Sequence, residues 1–304
     1  MNIKPLVSVI IPTYKSGETL IRAIQSVLDQ SYDRVEVIVV DDNNPDTKER
    51  ASTEKIMSKF ENDPKVHYVK HERNKNGSAA RNTGFRHSSG QYLCFLDDDD
   101  YFLKDKLKLQ VEYMQAHPEF DGNYCWRIDR GKEVCGKYVG DLTKQILSLE
   151  FSPVTSAIMI TRKSYEALNG FDESYRRHQD FEFMLRFFEL FKISYVPSVQ
   201  IVKDYNGVNN TPKGKDYINL KTQFFCQFSN SIEKYRTEDP DVYKQIYLKH
   251  YTPVFKDLIR YGYPLLAVKV YFKYCLKLGW NFWKYFYQLC LAGQVERFKA
   301  KKNE

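Results

Sequence analysis

An α/β fold is predicted, with a mostly parallel central sheet flanked by helices and a helical C-terminal extension. Three observations carry it. Short apolar, β-branched runs alternate with helix-prone stretches over the first hundred residues. Three of those runs end in polar clusters, at Pro12-Thr13-Tyr14, Asp41-Asp42 and Asp97 to Asp100. From residue 215 onward the chain reads as helical and turns basic, with 16 Lys and Arg against 8 Asp and Glu, whereas residues 1–214 hold 30 against 31.

The elements follow in order. "LVSVIIPTY" (6–14) is apolar without alternation, as in a strand covered on both faces. In "ETLIRAIQSVLDQ", Leu20, Ile21, Ile24, Val27 and Leu28 fall at helical spacing. "VEVIVVDD" (35–42) is a second buried strand, and a polar helix-prone stretch runs to about residue 60. "VHYVKH" (66–71) is a short third strand, "NGSAARNTGFRHS" (76–88) opens on a glycine turn and reads as a helix, and "QYLCFLDDDD" is the fourth strand. Strands joined in this way take right-handed crossovers, and ligands of such sheets bind outside the carboxyl ends of the strands. The three polar clusters therefore converge on one edge.

After residue 105 the pattern changes. "KLKLQVEYMQAH" is an amphipathic helix, "GNYCWRI" and "EVCGKYVG" read as antiparallel strands, and "SAIMITRKSYEAL" as a strand leading into a helix. A helix begins near Gln179 in "HQDFEFMLRFFELF", and "SYVPSVQIVKDY" returns to strand. "NGVNNTPKGKD" (206–216) reads as a hinge or lid. No internal repeat is apparent.

Composition bounds the class. With 42% apolar and 28% charged residues the 304-residue chain is globular, not disordered. Aromatics reach 15%, and a core accounts for most of them. The six cysteines are scattered, without CxxC pairs or zinc spacing, and favour a reducing compartment. "LVSVII" is too short for a signal peptide, and no run of about 18 apolar residues marks a membrane span. The expected location is cytoplasmic.

Each polar cluster has a plain reading beside a functional one. Asp97 to Asp100 fit a solvated acidic turn, or carboxylates awaiting a counter-charge such as Mg²⁺ or Mn²⁺ with a diphosphate; their position after a buried strand favours the second. Asp41-Asp42 fit an Asx turn with Asn43 and Asn44, or acceptors for a nucleobase or ribose. Arg81 fits a surface helix residue, or a cation offsetting the acids and meeting a phosphate or base. Asp180 fits a first-turn carboxylate complementing a helix dipole, or a general base.

Taken in order, "VSVIIPTY", "VEVIVVDDNN", "GSAARNTGF", "GQYLCFLDDDD" and "HQDFEFMLRF" resemble the family-2 glycosyltransferases of the GT-A fold over residues 7 to about 190. The resemblance implies a nucleotide-sugar donor, commonly UDP-linked, and Mn²⁺ or Mg²⁺. It implies that Pro12, Thr13 and Tyr14 line the nucleoside pocket. Asp42, with Asp41 beside it, would contact the uracil, and Arg81 the base or diphosphate. "DDDD" stands at the family's D-x-D motif: Asp97 and Asp98 lie against the ribose, Asp99 binds the metal with Asp97 as a second ligand, and Asp100 is a further candidate. The family has a small residue where this chain has Asp98. "HQD" stands where the family often shows Glu-Asp, which makes Asp180 the catalytic base and puts His178 and Gln179 on the acceptor side. The expected division is a nucleotide-sugar half (1–105), an acceptor half (106–212) and a helical extension (213–304).

An in-line displacement with one base inverts the anomeric carbon, and no second carboxylate motif for double displacement is visible. The helix after Asp180 lacks the Q-x-x-R-W motif of processive synthases, so one sugar per encounter is expected, in bacterial capsule or surface-polysaccharide synthesis. Residues 264–292 interleave aromatics with Lys269, Lys273, Lys277 and Lys284. They read as a helix packed on the catalytic domain, or as an interfacial helix on an anionic inner leaflet near a polyprenyl-diphosphate-linked acceptor. A nucleic-acid partner is not expected, since no recognised motif accompanies the charge. Two rivals remain: a nucleotidyltransferase, which would want a Gly-rich basic loop where "PTYKSGETL" stands, and a non-catalytic sugar-nucleotide or glycan-binding module, against which Asp99 and Asp180 argue.

Overall fold

The computed structural model describes residues 4–204 and 212–302. It separates into two compact units, Met1–Leu142 with Phe151–Val208, and Thr143–Glu150 with Asn209–Glu304.

The first unit opens with β1 (Val7–Thr13), α1 (Thr19–Leu28), β2 (Val35–Asp41), α2 (Lys48–Met57), β3 (Val66–Lys70), α3 (Gly77–Arg86) and β4 (Tyr92–Phe95). It continues with β5 (Tyr101–Phe102), α4 (Lys106–Ala116), β6 (Gly122–Asp129) and β7 (Lys132–Val134). After α5 (Thr143–Leu147) come β8 (Ile158–Thr161), α6 (Arg162–Ala167), α7 (Gln179–Leu190) and β9 (Ile193–Lys203). The sheet order is β3-β2-β1-β4-β8-β6-β9-β5, with β7 on β6. β1 pairs parallel with β2 and β4, β2 with β3, and β6 with β9, while β8 is antiparallel to both β4 and β6. Six strands (β1, β2, β3, β4, β6 and β9) thus share one direction, with β8 reversed among them and β5 and β7 reversed beside β9 and β6.

The continuous apolar runs of β1 and β2 are buried on both faces, which is why their sequences do not alternate. The helices start where side chains cap them. Thr47 accepts from Arg50 N at α2, Asn76 from Ala79 N at α3 and Thr161 from Ser164 N at α6. Gly84 lets α3 lie directly on the sheet, because a Cβ there would come 2.3 Å from Ile10 Cγ2.

Two expectations need correction. Only Glu133 and Val134 of "EVCGKYVG" are strand, as the end of β7. Beyond it, side chains of β6 satisfy the backbone in place of a ladder: Trp126 Nε1 donates to Gly136 O, and the Tyr124 hydroxyl donates to Tyr138 O and accepts from Tyr138 N. Residues 143–150, expected within the acceptor half, belong to the helical unit. His250 Nε2 bonds Leu147 O, Lys249 bonds Ser148 O, and Lys144 pairs with Asp239 at 2.9 Å. The expected hinge at 206–216 lies largely outside the described residues.

The helical unit adds α8 (Lys215–Gln227), α9 (Ser229–Glu238), α10 (Pro240–Arg260), α11 (Pro264–Val270) and α12 (Trp280–Lys302), with a π turn and a 3₁₀ turn between the last two. Its aromatics gather on α10, where Tyr251 stacks on Tyr274 at 3.9 Å and Phe255 meets Phe282 at 5.2 Å. Lys221 donates to His250 Nδ1 at 3.0 Å, and burial lowers its pKa to about 8.

Candidate active site

Because six strands share a direction, the carboxyl ends of β1, β2, β4, β6 and β9 lie along one edge. That edge carries Thr13, Asp41, the turn after β4, Asp129 and Lys203. The acid turn is held from several sides. Arg81 Nη2 donates to Asp97 Oδ1 at 2.7 Å, and Ser156 Oγ accepts from Asp97 N and donates to Asp100 Oδ2 at 2.8 Å. Tyr14 N donates to Asp98 Oδ2, and Arg22 Nη2 to Asp99 O at 2.8 Å. Arg22 also pairs with Asp204 at 2.7 Å.

These carboxyls are reluctant to ionise. Burial, then the neighbouring acids against the pull of the Thr13 side chain, pushes Asp98 up to about 7. Burial and the Asp97 charge raise both Asp99 and Asp100. Asp100 is fully buried, and among the described residues its Oδ1 has no hydrogen-bond partner.

Among the described residues, no three His, Cys, Asp or Glu side chains gather into a metal cage. The acid turn fits a divalent cation bound from one side. An orphaned buried oxygen and crowded, desolvated carboxyls are the groups such an ion would satisfy, with phosphate oxygens and water completing its shell. Asp99 and Asp100 are the candidates, Asp100 through the Oδ1 that Ser156 does not take, while Asp97 has one oxygen paired with the charged Arg81.

Asp180 opens α7 near the same turn. Its carboxyl feels Arg81, Lys203 and Asp97, accepts from Phe181 N at 3.0 Å, and is raised by burial to about 6. Gln179, expected toward the acceptor, buttresses the turn: its Oε1 accepts from Arg81 Nη1 at 2.7 Å and its Nε2 donates to Tyr175 O. Arg81 is accordingly a buried clamp between Asp97 and Gln179. His178 caps α7 in the left-handed region at φ +58°.

Asp41 and Asp42 also differ from expectation. Asp41 is inaccessible: its Oδ1 accepts from Asn43, its Oδ2 accepts from the Tyr68 hydroxyl at 2.6 Å, and Arg50 Nε forms an ion pair with it at 3.2 Å. It is a scaffold carboxylate and does not reach a base. Asp42 accepts from Lys75 N and faces His71 Nδ1 at Oδ1, and accepts from Asn76 N and Asn74 Nδ2 at Oδ2. Its four acceptor positions hold the loop that leads into α3. At the end of β1, where a nucleoside pocket was expected, Thr13 is buried, Pro12 partly exposed and Tyr14 47% exposed, with Lys15 Nζ 5.0 Å from its ring.

Sequence reasoning missed Arg22, Ser156, Asp129 and Lys203. The last two had an available signal, since the carboxyl-end rule applied to "GNYCWRI" and "SYVPSVQIVKDY" points to the residues that close those strands.

The model of the family described as Glycosyl transferase family 2 matches residues 8–140. An uncharacterized glycosyltransferase of Haemophilus influenzae is 32% identical over 187 residues, covering 60% of this chain and 71% of that protein. The Escherichia coli UDP-Glc:alpha-D-GlcNAc-diphosphoundecaprenol beta-1,3-glucosyltransferase WfgD is 33% identical over 136 residues, 44% of this chain and 51% of that protein. The chain spans about half the length of the curated relatives it matches, with 43% and 62% of two others. The crystal structure of S. aureus TarS 1-349 in complex with UDP-GlcNAc shares the fold, with a TM-score of 0.59 at 17% identity over 94% of this chain and 92% of that one. The chain therefore belongs to family 2 of the glycosyltransferases.

Proposed function

We propose that the chain is an inverting, metal-dependent glycosyltransferase. It moves one sugar from a UDP-linked donor to a glycan or polyprenyl-diphosphate-linked acceptor in bacterial capsule or surface-polysaccharide synthesis. The observation that carries this reading is the placement of Asp180, a single carboxyl raised to about 6, beside an acid turn that wants a counter-charge. WfgD and the UDP-GlcNAc complex of TarS support the donor and acceptor classes.

The chain's own groups divide the work. Tyr14, Thr13 and Pro12 offer the surface for the nucleoside. Asp99 and Asp100 would hold Mn²⁺ or Mg²⁺, which supplies positive charge to the leaving diphosphate. The Asp180 carboxylate takes the proton of the acceptor hydroxyl as that oxygen attacks the anomeric carbon from the face opposite the diphosphate. Arg81 and Gln179 keep α7 and the acid turn in register. The test is a panel of nucleotide sugars assayed for UDP release with MnCl₂ and with EDTA. Metal-dependent turnover of one donor is expected, and no turnover or stabilisation by any of them would remove the reading.

The partner surface is proposed from the helical unit. Leu265, Val268, Phe272, Leu276, Trp280, Trp283, Tyr287 and Leu291 recur at helical spacing and are all exposed, Leu265 and Trp280 by about four-fifths. The opposite side, with Ala267, Val270, Cys275, Leu278 and Phe282, is buried toward α10. Lys269, Lys273, Lys277 and Lys284 each follow a stripe residue, and no acid falls between Asp257 and Glu296. An apolar stripe edged with lysine matches an anionic lipid surface. Among the described residues no helix is long and apolar enough to cross a membrane. Flotation of the full chain with phosphatidylglycerol vesicles should succeed and fall sharply in a Trp280→Ser, Trp283→Ser variant. Unchanged flotation of that variant would discard the surface, and concentration-dependent self-association lost in the same variant would assign it to a second copy.

A further inference from the structure

Four basic side chains come near the acid turn, and three are committed. Arg81 is shared between Asp97 and Gln179, and Arg22 between Asp99 O and Asp204. Arg127 Nε lies 3.8 Å from Asp129. The fourth is Lys203, the last residue of β9. Among the described residues it makes no hydrogen bond or ion pair, although it is surrounded by carboxylates.

Strand register explains its position. β9 lies between β6 and β5. On one side Asp129 pairs directly with Lys203. On the other, Tyr101 pairs antiparallel with Val202 and Phe102 with Ile201, so one further step along the same register sets Asp100 opposite Lys203. Residues directly opposite on neighbouring strands point to the same face. The partly exposed lysine is thus flanked by an acid on each neighbouring strand, with Asp97 and Asp180 also in its field. Burial works against its charge, but the four carboxylates outweigh that and hold its pKa above the ordinary lysine value.

We propose that Lys203 is a donor-binding residue whose ammonium engages the diphosphate of the nucleotide sugar. An ammonium that is near several carboxylates and tied to none sits on a flexible four-carbon stem with three free donors. A cation held by Asp99 and Asp100 would offset the carboxylate field that now faces Lys203. A diphosphate brought to that cation is then the strongest acceptor within reach. A rigid guanidinium locked in place, such as Arg81, cannot move to meet it.

The inference rests on the nucleotide-sugar reading, and titration calorimetry separates the two. UDP and UMP are titrated with MnCl₂ into the wild type, Lys203→Met and Lys203→Arg, all as full chains. K203M should bind UDP about tenfold more weakly and UMP within about twofold of wild type, because the lost contact is to the second phosphate. K203R should keep UDP within about threefold. Equal losses for UDP and UMP, no loss for either, as large a loss in K203R as in K203M, or a K203M chain that no longer folds would each place Lys203 in the scaffold and overturn the assignment. Failure of the wild type to bind UDP would overturn the donor reading instead.

Discussion

The guanidinium of Arg81 lies 2.7 Å from Asp97 Oδ1 and is almost entirely buried, so the acid turn after β4 is fastened to α3 by one ion pair. Removing one partner of a buried pair leaves the other uncompensated. Arg81→Met should therefore cost about 2 kcal/mol, less than for a fully buried pair because Asp97 remains about a third exposed. It should also free Gln179 from the turn and weaken UDP binding. Urea denaturation and calorimetry with UDP check both effects.

Asp180→Asn should bind donor as the wild type does and lose transfer by at least about a hundredfold, the usual scale for general-base removal. In the wild type, kcat/KM should climb as pH rises through about 6, where the carboxyl becomes a base. Transfer by D180N at the wild-type rate would show that another group takes the proton.

Asp99→Asn should abolish the dependence of donor binding on Mn²⁺. Asp100→Asn should weaken it less, because Asn still accepts from Ser156 through its carbonyl oxygen. Electron paramagnetic resonance of Mn²⁺ with UDP reads this directly, and identical metal titrations in both variants and the wild type would exclude the acid turn as the metal position.

Stability should respond to pH and metal together. Asp98, Asp100 and Asp180 have folded pKa values raised above the unfolded value of about 3.9, so the folded chain binds more protons between those limits. Their contribution is present below about pH 4 and lost as pH rises toward 7 and beyond. Mn²⁺ should accordingly raise Tm more at about pH 8 than at about pH 5. Calorimetry with MnCl₂ or EDTA at both values tests the sign, and a larger gain at the lower pH would contradict it.

Asp42→Asn should destabilise the chain by about 2 kcal/mol, because an amide nitrogen would face either Lys75 N or Asn76 N where a carboxylate oxygen now accepts. Thermal denaturation would show it. A neutral substitution would mean that the loop is held by other contacts.

The sequence disclosed what depends on periodicity and strand ends. The doubly covered β1 and β2, the amphipathic α1 and the acid turn were all legible from residue spacing. It did not disclose how many partners a given polar side chain has. Asp41 and Asp42 are alike in sequence and sit side by side, yet the protein consumes the acceptors of both, one through Arg50 and Tyr68 and the other through the 74–76 loop. The bond between Gln179 and Arg81 was not legible, since the two are 98 residues apart in the sequence. Lys203 and Asp129 were hidden for a related reason: each looks ordinary until β9 is known to lie beside β6.

The left-handed backbone of His178 bears on attempts to make this chain more robust. Any side chain with a Cβ is disfavoured in that conformation by about 1 kcal/mol, a penalty that glycine avoids. The position lies two residues before Asp180 and fixes the angle at which α7 begins. Selection for heat tolerance alone would find glycine attractive here. The same change would let the helix start wander and spread the directions in which the Asp180 carboxyl points. Thermal endurance and aim are opposed at this residue, so a hardened variant should leave histidine 178 untouched and seek its gains elsewhere.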